Sequence, residues 1–101
     1  MKILIIRFSS IGDIVLTTPI IRCIKQQLPN VELHFVTKSA FRSVIANNPY
    51  IDQCHFFDHH VEDVIPTLKE AKFDLVIDLH KNLRSLKVKK ALKVKSLSFQ
   101  K

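Results

Sequence analysis

Glycine is almost absent from this chain. Gly12 is the only glycine among 101 residues, so neither the G-x-G-x-x-G turn of dinucleotide-binding folds nor a Walker phosphate loop can form. The sequence also has no apolar run near the about 18 residues that a membrane-spanning helix needs. Cys23 and Cys54 have neither metal-binding nor redox spacing. We therefore expect two reduced thiols in a cytoplasmic protein.

Acidic residues are missing from the end of the chain. From Lys81 onward there are eight basic residues and no acidic one, whereas the preceding residues include eight basic and nine acidic ones. A basic end on a nearly neutral body indicates an anionic partner, such as nucleic acid, acidic lipid or a phosphorylated sugar. A solvated surface without any partner accounts for the same run of charge, so the charge alone does not choose between them.

Short apolar runs alternate with helical patterns along the whole chain. Strands are predicted at 3–6, 31–37, 54–57, 73–79 and 94–99, and helices at 14–28, 38–47, 61–71 and from Leu83 onward. This alternation predicts an α/β fold of a single domain, with a Rossmann-like parallel sheet in the order 3-2-1-4-5 and helices on both faces. The polar side of strand 31–37 predicts a position near the sheet edge.

Two prolines fall within the predicted helices. We expect Pro19 to kink the first helix, with Thr17 or Thr18 bonding the carbonyl that the proline leaves without a donor. Pro66 lies inside the stripe of apolar residues in 61–71, so that helix is either kinked at Pro66 or begins there.

The turn after the first strand is the first candidate site, because ligands of open α/β sheets bind beyond the carboxyl ends of the strands. Ser9, Ser10, Gly12 and Asp13 lie in it. One interpretation is structural: Ser10 and Asp13 have the spacing of a capping box. The other is chemical. A carboxylate at a helix start repels a phosphate but can hold a neutral hydroxyl, and accepting its proton is general-base catalysis.

A second polar segment follows the strongest predicted strand. Asp78, His80, Lys81, Asn82 and Arg84 lie in it, and the sheet order places it beside the first turn. The histidine and arginine suit hydrogen bonds to hydroxyls, carboxylates or phosphates. Asp78 can instead orient a neighbouring group. The structural alternative is that Asn82 caps the next helix and the basic groups are solvated.

The residues around the third predicted strand include several that can bind metals. They are Cys54, His55, Asp58, His59 and His60. Their spacing matches no zinc pattern, and the adjacent His59 and His60 point in different directions on a helix or a strand. We therefore predict no metal site.

The segment from Ile3 to Pro19 resembles the start of the bacterial lipopolysaccharide heptosyltransferases of glycosyltransferase family 9. It shares their strand, their Ser-Ser-x-Gly-Asp turn and the Thr-x-Pro that follows. The segment from Asp78 to Ser85 is similar to the family's Asp-x-(Gln/His)-Gly-x-x-(Arg/Lys)-Ser, with Lys81 where glycine is common. The resemblance extends over nearly the whole chain, although the enzymes of that family are much longer.

The resemblance implies the front part of a GT-B N-terminal domain, the acceptor side of an inverting transferase. Residues 1–101 would form this single domain, with the donor-binding domain absent and the chain inactive alone. Heptose would pass from ADP-heptose to the inner core of lipopolysaccharide, with Asp13 as catalytic base. The acceptor would contact Ser9, Ser10, Gly12, His80, Lys81, Asn82 and Arg84. No cofactor or metal is implied, because the donor would be bound mainly by the C-terminal domain.

The resemblance also implies where the protein works. It would be cytoplasmic, with peripheral contact between its basic end and the anionic surface of the inner membrane, and it would not bind nucleic acid. Missing strands and a missing partner domain would leave apolar surface exposed, so we expect association into a homodimer.

Two other functions are compatible with the residues alone. A small basic α/β module that binds nucleic acid accounts for the charge at the chain end, but aromatic residues are not interleaved with the lysines as stacking platforms require. A flavodoxin-like or receiver-like signalling domain accounts for the fold. A receiver pocket needs a second carboxylate beside Asp13 in the first turn, and the sequence has none there.

Overall fold

A parallel sheet organises the protein, of which the computed structural model describes residues 1–98. Within that range its strands are β1 (Lys2–Ile6), β2 (Glu32–Lys38), β3 (Gln53–Phe57), β4 (Leu75–Asp78) and β5 (Lys95–Ser98). Their order across the sheet is β3-β2-β1-β4-β5, and every neighbouring pair is parallel. The predicted α/β class and the predicted 3-2-1-4-5 order are confirmed.

Helices cover both faces of the sheet. They are α1 (Ile11–Val15), α2 (Thr18–Gln27), α3 (Arg42–Ile45), α4 (Ile65–Ala71) and α5 (Leu83–Leu92), with short 3-10 turns at Ser39–Phe41 and Val61–Asp63. On one face α1, α2 and α3 bury Ile14, Ile21 and Ile45. On the other face α4 and α5 bury Leu68 and Val88. Among residues 1–98, no helix has both the length and the apolar character to cross a membrane.

β1 is buried on both faces, as expected for the central strand of a parallel sheet. Ile3 and Ile5 pack into the core on the α1 side. Leu4 and Ile6 pack into the core on the α5 side. None of these four side chains is more than 2% exposed. Because both faces are filled with aliphatic groups, polar side chains are confined to the strand ends.

The single predicted helix over 14–28 is in fact two helices. α1 ends at Val15 and α2 begins at Thr18, with Pro19 in its first turn. Proline is tolerated there because the first amides of a helix have no intrahelical partner. The hydroxyl of Thr17 donates to the carbonyl of Ile14 (2.6 Å), and that of Thr18 donates to the carbonyl of Val15 (2.8 Å). Pro19 therefore lies at a helix start and does not kink a helix, contrary to the prediction. The predicted bond to the carbonyl that the proline leaves without a donor is made by Thr18, because Val15 is four residues before Pro19.

Pro66 also lies at a helix start, within the helix predicted over 61–71. A 3-10 turn covers Val61–Asp63, and α4 begins at Ile65 with the proline in its first turn. Of the two alternatives drawn from the sequence, the helix start is the one observed.

β2 lies next to the edge strand β3, as the predicted order has it, but its polar side is buried and not exposed. It runs between β1 and β3, and His34 on its polar side is only 2% exposed. The His34 ring has Nδ1 at 2.8 Å from Nε2 of His55 and Nε2 at 2.5 Å from Oε2 of Glu32. Phe73 packs edge-on against His34. Polar residues are tolerated in an inner strand because they bond one another.

The last two elements differ in detail from expectation. α5 is longer than the short basic helix predicted, and Leu83 and Leu86 are exposed while Ser85 and Val88 face the core. β5 occupies Lys95–Ser98. The predicted extension of this strand to Phe99 and the final cation Lys101 lie outside the described residues.

The buried histidine pair predicts an acid-dependent loss of stability. Burial, and then the nearby His34, lowers the pKa of His55 from 6.5 to about 4. Between pH 6.5 and pH 4 the unfolded chain therefore protonates His55 more readily than the folded chain does. The contribution of neutral His55 to the free energy of unfolding is complete above pH 6.5 and is lost as the pH falls towards 4. At pH 4 the free energy of unfolding should be about 3 kcal/mol lower than at pH 7.5 through this group.

Urea denaturation across that pH range checks this expectation. His55→Gln should flatten the pH dependence, whereas the control His59→Gln, at an exposed position, should keep it. The same pH dependence in His55→Gln as in the parent protein would contradict it.

Candidate functional site

The two polar segments meet where β1 and β4 end. Ile6 and Asp78 are paired in register at the last positions of these strands. The amide of Leu79 donates to the carbonyl of Ile6 (3.0 Å), and the amide of Phe8 donates to Nδ1 of His80 (3.4 Å). The predicted proximity of the first turn and the segment after β4 is therefore confirmed.

Asp13 lies in the first turn of α1 with a side chain that is 30% exposed. Its Oδ2 accepts a hydrogen bond from the Ser10 hydroxyl at 3.0 Å and lies 2.8 Å from Nη2 of Arg7. Ser10 occupies the N-cap position, but its side chain makes no capping bond. The capping box suggested by the spacing is therefore not formed, because the serine hydroxyl bonds the carboxylate instead of an amide.

Arg7 belongs to the site although the sequence reasoning did not single it out. Its guanidinium lies between the two strand ends: Nη1 donates to the carbonyl of Leu79 (2.7 Å), and Nη2 reaches Asp13. The side chain is 12% exposed. One signal was available in the sequence. Arg7 directly follows an entirely aliphatic strand, and a charged side chain that is buried at such a strand end needs hydrogen-bond or ionic partners.

Asp78 organises the loop between β4 and α5. It is fully buried, and its Oδ1 accepts hydrogen bonds from the amides of His80 and Lys81, both at 2.9 Å. Nζ of Lys89 lies 2.9 Å from its Oδ2. Burial acts to raise the pKa of Asp78, but the bonds from Lys81, Lys89, Ser85 and His80 outweigh it and lower the pKa. This carboxylate therefore holds the loop in its charged form.

His80 is a half-buried ring at the centre of this edge. Its ring packs 4.9 Å from that of Phe8, centroid to centroid. Burial, and then the charge of Arg7, lowers the pKa of His80, so the imidazole is neutral at pH 7. Because Nδ1 accepts the amide of Phe8, the ring proton is on Nε2. The residue thus offers one hydrogen-bond donor.

Lys81 and Asn82 make the turn into α5. Lys81 has φ of 54°, in the left-handed region that favours glycine. Asn82 accepts a hydrogen bond from the amide of Ser85, and the Ser85 hydroxyl accepts one from the amide of Asn82 (both 2.9 Å), which completes a capping box. The structural alternative for Asn82 is therefore observed, and the position of Lys81 explains why the family pattern has glycine there.

The other predicted site residues differ in their surroundings. Ser9 is half-buried, whereas Ser10 and Gly12 are exposed. A methyl group added at Gly12 would have no neighbour within 4 Å among the described residues, so the fold itself does not require glycine there. Arg84 is exposed and lines an open groove of about 320 Å³. The groove's other residues are His59, His60, Val61, Glu62, Leu83 and Lys87.

The histidines near β3 are separated in space. His55 is buried against His34, whereas His59 and His60 are exposed. Within the described range 1–98, no three side chains of His, Cys, Asp or Glu are grouped so as to hold a metal ion.

Lys81 provides a test of backbone strain at this edge. A non-glycine residue in the left-handed region is disfavoured by about 1–2 kcal/mol, and glycine loses about 0.4–1 kcal/mol through the entropy of the unfolded chain. Lys81→Gly should therefore raise the free energy of unfolding by about 0.5–1 kcal/mol, measured by urea denaturation. The matched control Lys90→Gly, inside α5, should lower it by about 1 kcal/mol. Equal losses in both variants would contradict the strain argument.

Comparison with known proteins gives one curated relative. No family model matches the chain. This chain is 29% identical over 107 residues to lipopolysaccharide heptosyltransferase 1 of Campylobacter coli. The aligned region covers 100% of this chain and 31% of that relative. The chain thus spans about a third of the length of this relative.

Solved structures share the fold. A glycosyltransferase family 9 protein from Veillonella parvula matches 96% of this chain and 32% of its own, with 24% identity and a TM-score of 0.80. The ADP-heptose lipopolysaccharide heptosyltransferase II of E. coli matches 97% of this chain and 30% of its own, with 18% identity and a TM-score of 0.84. The resemblance to the family 9 lipopolysaccharide heptosyltransferases is thereby confirmed, over the N-terminal part of those proteins.

Proposed function

We propose that this chain is the N-terminal, acceptor-side part of an inverting glycosyltransferase that moves heptose from ADP-heptose to the inner core of lipopolysaccharide. The observation that carries the proposal is the placement of Asp13, a partly exposed carboxylate held at the junction of β1, β4 and α1. The named activities of the Campylobacter coli and E. coli relatives support the choice of substrates.

Asp13 acts as the general base. It accepts the proton of an acceptor hydroxyl while that oxygen attacks the anomeric carbon of the heptose, and the bond from that carbon to the ADP oxygen breaks with inversion. Such proton transfer contributes about 10²–10⁴-fold to the rate. The start of α1 favours the charged carboxylate and would favour an anion too, but the carboxylate repels phosphate from the same place. A sugar hydroxyl therefore suits this turn better than the donor diphosphate.

The remaining groups bind the acceptor. His80 is neutral and offers its Nε2 proton to an acceptor oxygen, and Arg84 offers the paired donors that match a carboxylate or phosphate. Ser9, Ser10 and Gly12 shape the wall beside Asp13. Gly12 contributes open space, since nothing among the described residues lies where its side chain would be.

Lys81 and Asn82 have narrower roles in acceptor binding. The exposed ammonium group of Lys81 attracts anionic groups of the acceptor. The amide oxygen of Asn82 already caps α5, so its side-chain NH₂ group is the part that contacts the sugar.

The donor belongs to another part of the enzyme. In this proposal residues 1–101 are a single acceptor-side domain of a GT-B enzyme, and the phosphates of ADP-heptose are held mainly by protein groups of a C-terminal domain. No cofactor or metal takes part. The share of the relatives that this chain spans, between 30% and 32% for the proteins compared above, is consistent with this division.

The protein works in the cytoplasm, in peripheral contact with the inner membrane. Lys90, Lys93 and Lys95 are exposed beside Leu86, which is 40% exposed. Lysines near an anionic lipid surface contribute about 1 kcal/mol each. Exposed Ile11, Leu16 and other apolar groups on α1 and nearby favour association of the 101-residue chain into a homodimer.

In this proposal residues 1–101 form only the acceptor-side domain, so they should not turn over by themselves. Purified residues 1–101, mixed with ADP-heptose and a lipopolysaccharide acceptor, should release no ADP above the rate without protein. A full-length relative in the same assay is the positive control. Transfer at an ordinary rate by residues 1–101 would contradict the two-domain proposal.

The role of Asp13 is tested in a full-length transferase that carries this sequence at its N-terminus. Asp13→Asn should lower kcat by about 10²–10⁴-fold and leave donor affinity within about twofold, because removal of the base affects proton transfer and not donor binding. Asp58→Asn, at an exposed position, is the control and should keep full activity. A normal kcat in the Asp13→Asn enzyme would contradict general-base catalysis by Asp13 and leave it only a structural role.

A further inference from the structure

Arg7 joins the proposed base to the end of the neighbouring strand β4. It follows β1 directly, and its amide still donates to the carbonyl of Val36 in β2 (3.3 Å). Its guanidinium bonds the Leu79 carbonyl at the end of β4 through Nη1 and lies 2.8 Å from Asp13 through Nη2. A single rigid group is thus anchored to the sheet on one side and to the carboxylate on the other.

The environment makes this ion pair stronger than a surface pair. The Arg7 side chain is only 12% exposed, against 30% for Asp13, so solvent screens the two charges incompletely. Nε of Arg7 is buried with no hydrogen-bond partner among residues 1–98. The guanidinium is therefore held in place by its two terminal nitrogens, one on Leu79 and one on Asp13.

The other charges at this edge are arranged around His80. Asp78, Arg84 and Lys38 act on that ring together with Arg7. Asp78 is already bound by Lys89. Ser10, on the α1 side, shares Oδ2 of Asp13 with Arg7. Arg7 is thus a cation in direct contact with the Asp13 carboxylate, whereas Lys89 contacts Asp78.

We propose that Arg7 is a positioning residue for Asp13: its charge favours the ionised form of the carboxylate, and its guanidinium fixes the carboxylate against the end of β4. The two effects are separable. The electrostatic effect on the Asp13 carboxyl group needs only a positive charge, which lysine also supplies. Fixing needs the planar fork that contacts Leu79 and Asp13 together, which lysine does not supply. The catalytic meaning of this inference rests on the proposed function of Asp13, but the ion pair itself is testable without turnover.

The titration of the Asp13 carboxyl group tests the first effect in residues 1–101 as they stand. Carbon-13 NMR of the side-chain carboxyl would follow the parent protein, Arg7→Gln, Arg7→Lys and the control Arg22→Gln. Arg22 is exposed on α2. An adjacent opposite charge typically lowers the pKa of an aspartate by about 1–3 units. Arg7→Gln should therefore raise the Asp13 pKa by at least about 1 unit, and Arg22→Gln should leave it unchanged.

Arg7→Lys keeps the test decisive if Arg7→Gln does not fold. With lysine the Asp13 pKa should stay within about 0.5 units of the parent value, while the amide signals of Leu79 and His80 shift because the contact with the Leu79 carbonyl is lost. A parent-like Asp13 pKa in folded Arg7→Gln would overturn the proposal. Parent-like Leu79 and His80 signals in Arg7→Lys would overturn the fixing role.

A full-length transferase carrying the same substitutions separates this inference from the proposed function. Arg7→Gln should move the acid limb of the kcat profile to higher pH by the same amount as the carboxyl titration, and Arg7→Lys should restore the limb but not the whole of kcat. If the titration shifts while Asp13→Asn retains full kcat, the ion pair is correct and the catalytic role is wrong. If Asp13→Asn is inactive and the titration does not shift, the base is correct and Arg7 is not its positioning residue.

Discussion

The pairing of β1 with β4 is the constraint on which the site depends. Both strands are filled with aliphatic side chains on two faces, so their register is determined by burial, and a slip of one residue would expose the core. Ile6 opposite Asp78 is the last pair of this register. Beyond it, β1 leads into the turn before α1 and β4 leads into the loop before α5, and polar groups of both segments lie together at these strand ends.

Asp78 connects the end of β4 to the loop that contains His80 and Lys81. Its position at the end of a buried strand leaves its carboxylate inside the protein, where an unpaired charge is expensive. The two loop amides bond its Oδ1, and the Lys89 ammonium lies 2.9 Å from its Oδ2. Both amides point at the carboxylate while the chain turns at Lys81 in the left-handed region. Glycine would accept the same turn without strain. Lysine at this position has a strained backbone conformation, but it provides a cation near the candidate site.

Most of the architecture could be predicted from the sequence because it follows from periodicity and from general rules of α/β topology. The neighbouring placement of the first turn and the segment that holds His80 required only the sheet order. The failures have a different origin. The burial of the polar side of β2 could not be predicted, because the partner of His34, His55, is 21 residues away and no local pattern reveals that the pair is buried together. The contact between Arg7 and Asp13 was missed for the same reason: side-chain direction after a strand end is set by tertiary packing and not by spacing.

The proximity of Arg7 and Asp13 also limits what kind of base this carboxylate can be. A guanidinium at 2.8 Å and the start of a helix both favour the ionised form, and every interaction that favours ionisation weakens the attraction for a proton. A base arranged in this way cannot remove a hydroxyl proton in advance. It is effective only if proton transfer accompanies attack on the sugar, when the hydroxyl has become acidic, so the advantage must come from alignment of the two oxygens. In the proposed mechanism, the anchoring of the guanidinium to the Leu79 carbonyl provides that alignment, so the rigidity of the carboxylate matters more than its basicity.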